Sequence, residues 1–214
     1  MIEYIEYIFK SIGIIFGIAL INRISLSYRL ICLQLFVSLI TDSIAEWSGD
    51  NFGSNYLVYN LYMPIEVILL SWAGVLSIYQ NIWRTRFKML IYFYILTSII
   101  LFYFNPIHEF NTLLLIIGFL FLGILNLFLV IDPEGIKSPI KNPMMIISIA
   151  HILYFCAVTP LFIGRSYMLE KYPEMTNELY NLVNSSIMLI RYSLIAIAMI
   201  IVFINARSRK AIVV

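Results

Sequence analysis

The sequence predicts an all-α fold, a polytopic membrane bundle of seven transmembrane helices with the N-terminus outside and the C-terminus in the cytoplasm. Three observations predict it. The 214 residues are 62% hydrophobic and only 12% charged, whereas soluble domains are usually about half apolar and a quarter charged. The apolar residues gather into seven stretches, each near the roughly 20 residues that cross a hydrocarbon core of about 30 Å. The Lys and Arg residues between the stretches fall on alternate sides. Seven spans use most of the chain, so residues 1–214 read as one integral membrane domain joined by short loops. No soluble catalytic or signalling domain fits into what remains.

The spans read as roughly 4–22, 28–48, 55–80, 87–104, 111–131, 143–163 and 181–205. The first is the weakest, because Glu6 and Lys10 interrupt it. They stand at i and i+4, where they can pair on one helix face. An amphipathic helix lying on the membrane surface is the other reading of this segment. Its start does not read as a clean signal peptide: Glu3 and Glu6 replace the expected basic region, and no small-residue cleavage site follows. Gly13 and Gly17 form a small-xxx-small pair of the kind that packs helices closely. Span 2 carries Asp42 and Glu46, also i and i+4. Span 3 holds Pro64 two residues before Glu66. That proline frees the carbonyl of Asn60 one turn earlier and predicts a kink. Span 5 holds Gly118, Gly123 and Asn126. Span 6 holds His151 and Pro160, and span 7 holds Arg191.

The connections carry the orientation. Arg23 and Arg29 follow span 1, and Arg84, Arg86 and Lys88 follow span 3. Lys137 and Lys141 follow span 5, and Arg207, Arg209 and Lys210 follow span 7. The opposite loops have only Arg165 and Lys171, with Lys10 near the N-terminus. Cytoplasmic loops carry the excess of Lys and Arg. The net charge of +2 says nothing by itself. Trp47, Tyr56, Tyr59 and Tyr62 cluster at the outer ends of spans 2 and 3, and Tyr79 and Trp83 at the inner end of span 3. Amphipathic rings favour that headgroup level. The stretch Asp132 to Pro143 has three prolines and reads as a rigid inner connector. The longest outer loop, from about Gly164 to Tyr180, carries Glu170, Lys171, Glu174 and Glu178. It reads as a solvated loop or as a lid over the outer mouth. Cys32 and Cys156 sit at different depths, which argues against a disulfide between them.

Ionisable groups inside a bilayer are costly unless paired or wetted, which makes each a functional candidate. Glu66 lies about 15 Å below the outer end of its span at a rise of about 1.5 Å per residue. Arg191 lies at nearly the same depth, so the two can form an ion pair. Asp42 is shallower and has no obvious cation. His151 falls near mid-bilayer. These placements predict an outward-facing polar pocket lined by Asp42, Glu66, His151 and Arg191, with Tyr59, Tyr62 and Trp72 as aromatic walls. A structural network that only locks helices together is the competing reading. A metal site is not expected, because His108 is the only second histidine and zinc wants three or four ligands. No cofactor or catalytic residue is assigned.

Span 3 and span 7 share a local pattern. Ser54-Asn55 and Tyr59-Asn60-Leu61 open the first, and Thr176-Asn177 and Tyr180-Asn181-Leu182 open the second. Arg84-Thr85-Arg86 ends the first, and Arg207-Ser208-Arg209 the second. The pattern suggests two parallel three-helix repeats with span 4 as linker, one known plan for transporters. Chance similarity in low-complexity apolar sequence is the alternative.

The stretch Tyr59-Asn60-Leu61-Tyr62, followed by Pro64 and Glu66, resembles small seven-transmembrane-helix proteins of Bacteroidetes-type bacteria. The asparagine-rich start of span 7, including Asn184, shares in the resemblance. It implies a bacterial inner membrane and no mechanism. Microbial rhodopsins fit poorly, since span 7 has Arg191 in place of a Schiff-base lysine. Ceramidase-like and adiponectin-receptor-like hydrolases bind zinc through histidines in the last span, and this span has none. Sugar-facilitator and PQ-loop proteins share the orientation and the three-plus-one-plus-three plan, but their Pro-Gln pairs are missing, so the architecture alone carries over.

Three functions follow as expectations. One is a receptor-like or transporter-like protein that binds a small polar solute in the outward pocket. Another is a structural or regulatory subunit of a larger membrane complex. The third is an intramembrane enzyme acting on lipid, with Asp42 and His151 as acid and base. The expected partners are membrane lipid, a small polar ligand, and a membrane protein or second copy of the chain; no nucleic acid is expected.

Overall fold

Seven helices make up the described chain: α1 (Ile2–Ala19), α2 (Leu26–Phe52), α3 (Tyr56–Ser77), α4 (Asn81–Phe104), α5 (Thr112–Ile131), α6 (Pro143–Lys171) and α7 (Pro173–Ala211). The computed structural model describes residues 2–104, 111–131 and 142–211, and no strand occurs among them. Six helices, α2 to α7, are long and apolar enough to cross a membrane. The chain is therefore an all-α, multi-pass membrane protein. α1 is the exception, because Glu3, Glu6 and Lys10 fall within its 18 residues.

Six helices close into a ring. α1, α2, α3, α5, α6 and α7 pack in that cyclic order, with α7 against α1. α4 stands outside, against α3 and α5. It leaves Met89, Phe93, Leu96 and Ile99 exposed. An outward apolar face is what a lipid-facing helix presents. The ring interior is closely packed apolar side chains over much of its length, among them Val67, Leu122, Leu125, Ile147 and Ile195.

Backbone approach explains two glycine positions. A Cβ on Gly13 would meet Leu35 Cδ1 at 2.6 Å, and one on Gly17 would meet Cys32 Sγ at 2.7 Å. The small-xxx-small pair therefore lets α1 lie close to α2. α2 ends on Gly53, whose φ of 69° is left-handed and whose N–H donates to the Gly49 carbonyl at 3.0 Å. Glycine takes that conformation without steric cost. At the other end of the bundle, Arg84 Nη2 donates to the Ile78 carbonyl at 2.6 Å and caps α3.

The structure corrects several expectations. Residues 164–180 are not a loop: α6 runs to Lys171 and α7 starts at Pro173. Only Tyr172 separates the helices. The charges there suggested solvated coil, but Met, Leu, Glu and Lys are good helix formers. The break falls at Pro173, which suits the first turn of a helix. Pro64 lies inside α3 and Pro160 inside α6, and a bend at either remains an expectation of the sequence. The proposed rigid connector from Asp132, with Lys137 and Lys141, lies outside the described residues except for Asn142 and Pro143, and His108 with Glu109 lies wholly outside them. Both cysteines are free.

Candidate functional site

The site starts from a polar stripe on α2. Gln34, Ser38 and Asp42 recur every four residues, so they share one helix face. That face meets α3, which carries Tyr62 and Glu66 four residues apart, and α7, which carries Arg191 and Tyr192. Glu66 Oε1 accepts from Arg191 Nη2 at 2.5 Å and from Gln34 Nε2 at 3.1 Å. Gln34 Nε2 also reaches the Tyr62 hydroxyl at 3.1 Å. Arg191 is 1% exposed and Glu66 7%. The guanidinium lies 4.5 Å from the Tyr154 ring centroid and 5.3 Å from that of Tyr192. Aromatic faces attract a desolvated cation, so these rings add to the ion pair.

A second charged group adjoins the first. Lys10, fully buried, pairs with Glu6 on its own helix at 2.6 Å and with Asp42 on α2. The i, i+4 pair expected within α1 is present, and Asp42 does have a cation. Lys10 Nζ also sits 4.3 Å from the Tyr192 ring centroid. Tyr192 therefore stands between the two cations, and its hydroxyl meets Ser38 at 3.1 Å. Glu6–Lys10–Asp42 and Glu66–Arg191 are joined through this one tyrosine.

A cavity of about 320 Å³ opens above these pairs. Its wall runs from Asn55 and Tyr56, where α3 begins, down to Glu66 and Arg191. That is about 16 Å of helix. Asp42, Tyr59, Tyr62, Glu66 and Arg191 all line it. Tyr59 and Tyr62 thus turn into the cavity, while Trp47, Tyr79 and Trp83 stay exposed at the two ends of the bundle.

Trp72 and His151 are not among the lining residues. Trp72 lies six residues beyond Glu66, which at about 100° per residue turns it some 120° away. It meets Tyr92 of α4 instead, with ring centroids 6.4 Å apart. His151 is 1% exposed and stacks on Phe155, one turn along α6, at 5.9 Å. It lies deeper than Tyr154, the α6 residue at the cavity floor. The cavity that Asp42 lines therefore does not include His151. Among the described residues no three His, Cys, Asp or Glu side chains gather as metal ligands.

Several lining residues went unnoticed in the sequence: Ser38, Met63, Phe119, Tyr154, Phe162 and Tyr192. Gln34, which orients Glu66, was missed as well. The four-residue spacing of Gln34, Ser38 and Asp42 was the available signal. For Met63, Phe119 and Phe162, apolar residues in apolar spans, no signal existed. Compared with protein-family models, curated proteins and solved structures, the chain matches none.

Proposed function

We propose that this membrane protein binds a small polar solute in the cavity above Glu66 and Arg191, in the manner of a receptor or transporter. One observation carries the reading: a cavity inside a helical ring ends on a buried ion pair that helices α2, α3 and α7 build together. Ligand pockets occupy about 300–1,000 Å³ and combine apolar walls with a few polar groups. This cavity sits at the lower end of that range, with tyrosines above and charges below. The site residues are Asp42, Tyr59, Tyr62, Glu66 and Arg191. The Lys and Arg bias puts the mouth outside, and the resemblance in span 3 favours a bacterial inner membrane. The ring with α4 outside it favours two three-helix halves, α1–α3 and α5–α7.

The test is thermal stability of the purified protein against a library of small solutes. A ligand of the folded state raises the midpoint by mass action. The wild type should shift with at least one compound class. Met188→Trp, which fills the cavity from α7 without touching a charge, should not. A library without a single cavity-dependent shift would leave the pairs as helix locks and favour the subunit reading.

A further inference from the structure

The charge balance of the site selects among solutes. The joined network holds three carboxylates, on Glu6, Asp42 and Glu66, against two cations, on Lys10 and Arg191. With all five groups ionised, one negative charge is left over, and an uncompensated charge in a membrane interior costs several kcal/mol. Arg191 Nε is a buried donor with no hydrogen bond among the described residues, and the carboxylates leave acceptors unused. Glu66 takes both of its hydrogen bonds on Oε1, and Asp42 takes its bond on Oδ2. Oε2 of Glu66 and Oδ1 of Asp42 carry no hydrogen bond among the described residues. Both side chains line the cavity, and neither oxygen is sealed within the protein. Glu66 is nevertheless more than nine-tenths buried.

Ionised carboxylates only accept, so two open carboxylate oxygens call for a donor with positive charge. The walls fit the same ligand. Arg191 lies over the faces of Tyr154 and Tyr192, and Tyr56, Tyr59, Tyr62, Phe119 and Phe162 are further aromatic residues of the lining. Aromatic faces favour a desolvated ammonium.

The wider field points the same way. Among the described side chains, the end of the bundle where α3 begins holds Glu6, Asp42, Glu46, Asp50, Glu66 and Glu178 against Lys10, Lys171 and Arg191. Among the described side chains, the opposite end holds Arg23, Arg29, Arg84, Arg86, Lys88 and Arg207 with no described carboxylate. A cleft lined by one sign of charge concentrates ligands of the other. The mouth therefore draws in cations.

We propose that the cavity takes a small organic monocation, a protonated amine with an aromatic or aliphatic body, whose N–H groups donate to Glu66 Oε2 and Asp42 Oδ1. This rests on the solute-binding reading above and names its substrate class. An ammonium offers three donors, and its single charge cancels the surplus.

The experiment uses matched probes on the purified full chain at fixed ionic strength. Methyl, butyl and benzyl bodies are each presented as an ammonium, a carboxylate and an alcohol. At least one ammonium should raise the thermal midpoint of the wild type, with its carboxylate and alcohol counterparts silent. The shift should vanish in Met188→Trp. Asp42→Asn, which leaves a neutral network, should still fold and need on the order of tenfold more ammonium for the same shift. Cavity-dependent shifts from carboxylates or alcohols, with the ammonium series silent, would overturn this inference and leave the solute-binding reading standing. Silence of the whole panel would overturn both. An ammonium shift that persists in Met188→Trp would place the binding elsewhere and overturn the assignment.

Discussion

Glu66 on α3 and Arg191 on α7 meet at 2.5 Å across a sequence separation of 125 residues. The contact ties two non-adjacent helices of the ring across the cavity floor. Gln34 holds the carboxylate from α2, and Tyr154 and Tyr192 cover the guanidinium.

Breaking that pair on one side leaves a lone buried charge. Glu66→Gln and Arg191→Met should each destabilise by about 3 kcal/mol or more. The double variant should recover much of the loss, because no orphan charge remains. Chemical denaturation of the four proteins in one detergent measures the coupling. Additive losses would show that the two residues do not depend on each other.

Lys10 should be less replaceable than Asp42. Lys10→Met strips the cation from both Glu6 and Asp42, whereas Asp42→Asn leaves Glu6 to pair with Lys10. The first variant should lose several kcal/mol and the second about 1 kcal/mol or less. Thermal midpoints of the two read the difference directly.

Glycine substitutions should separate close helix approach from open space. Gly118→Ala would place a Cβ 2.8 Å from Val67 Cγ2, while Gly123→Ala meets nothing within 4 Å. The first should cost about 1–3 kcal/mol, as overpacking does. The second should be neutral. Equal behaviour would mean that α3 and α5 are not this close in the membrane.

The orientation is testable in cells. A fluorescent protein fused after Val214 should fold and fluoresce in the cytoplasm. A small epitope placed before Met1 should be stained by antibody on spheroplasts without permeabilisation. The reverse pair of results would invert the bundle and put the cavity mouth inside.

Depth along the membrane was legible in the sequence, and rotation about each helix was not. Counting residues from the outer ends matched Glu66 with Arg191, because axial position follows from a fixed rise. The same count admitted Trp72 and His151, although Trp72 lies about 9 Å beyond Glu66 along α3 and His151 lies deeper than the cavity floor at Tyr154. Rotation is set by packing partners, and Tyr92 of α4 takes Trp72. The Lys10–Asp42 pair stayed hidden because Glu6 already accounts for Lys10 at i, i+4. A partner 32 residues away leaves no spacing to read. The 164–180 segment was misread because charge was taken for coil, where helix propensity and the position of Pro173 decide.

The central claim is that water-borne solutes reach the Glu66–Arg191 floor from the end of the bundle where α3 begins. The direct measurement is thiol accessibility of Met188→Cys in a Cys156→Ala background, using a membrane-impermeant maleimide on intact vesicles of known sidedness. Ile195→Cys, fully buried in the packed core, is the control. The account predicts that position 188 reacts from the mouth side only, that position 195 does not react, and that a bound solute slows the reaction. A folded Met188→Cys protein that stays unlabelled from both sides would contradict it.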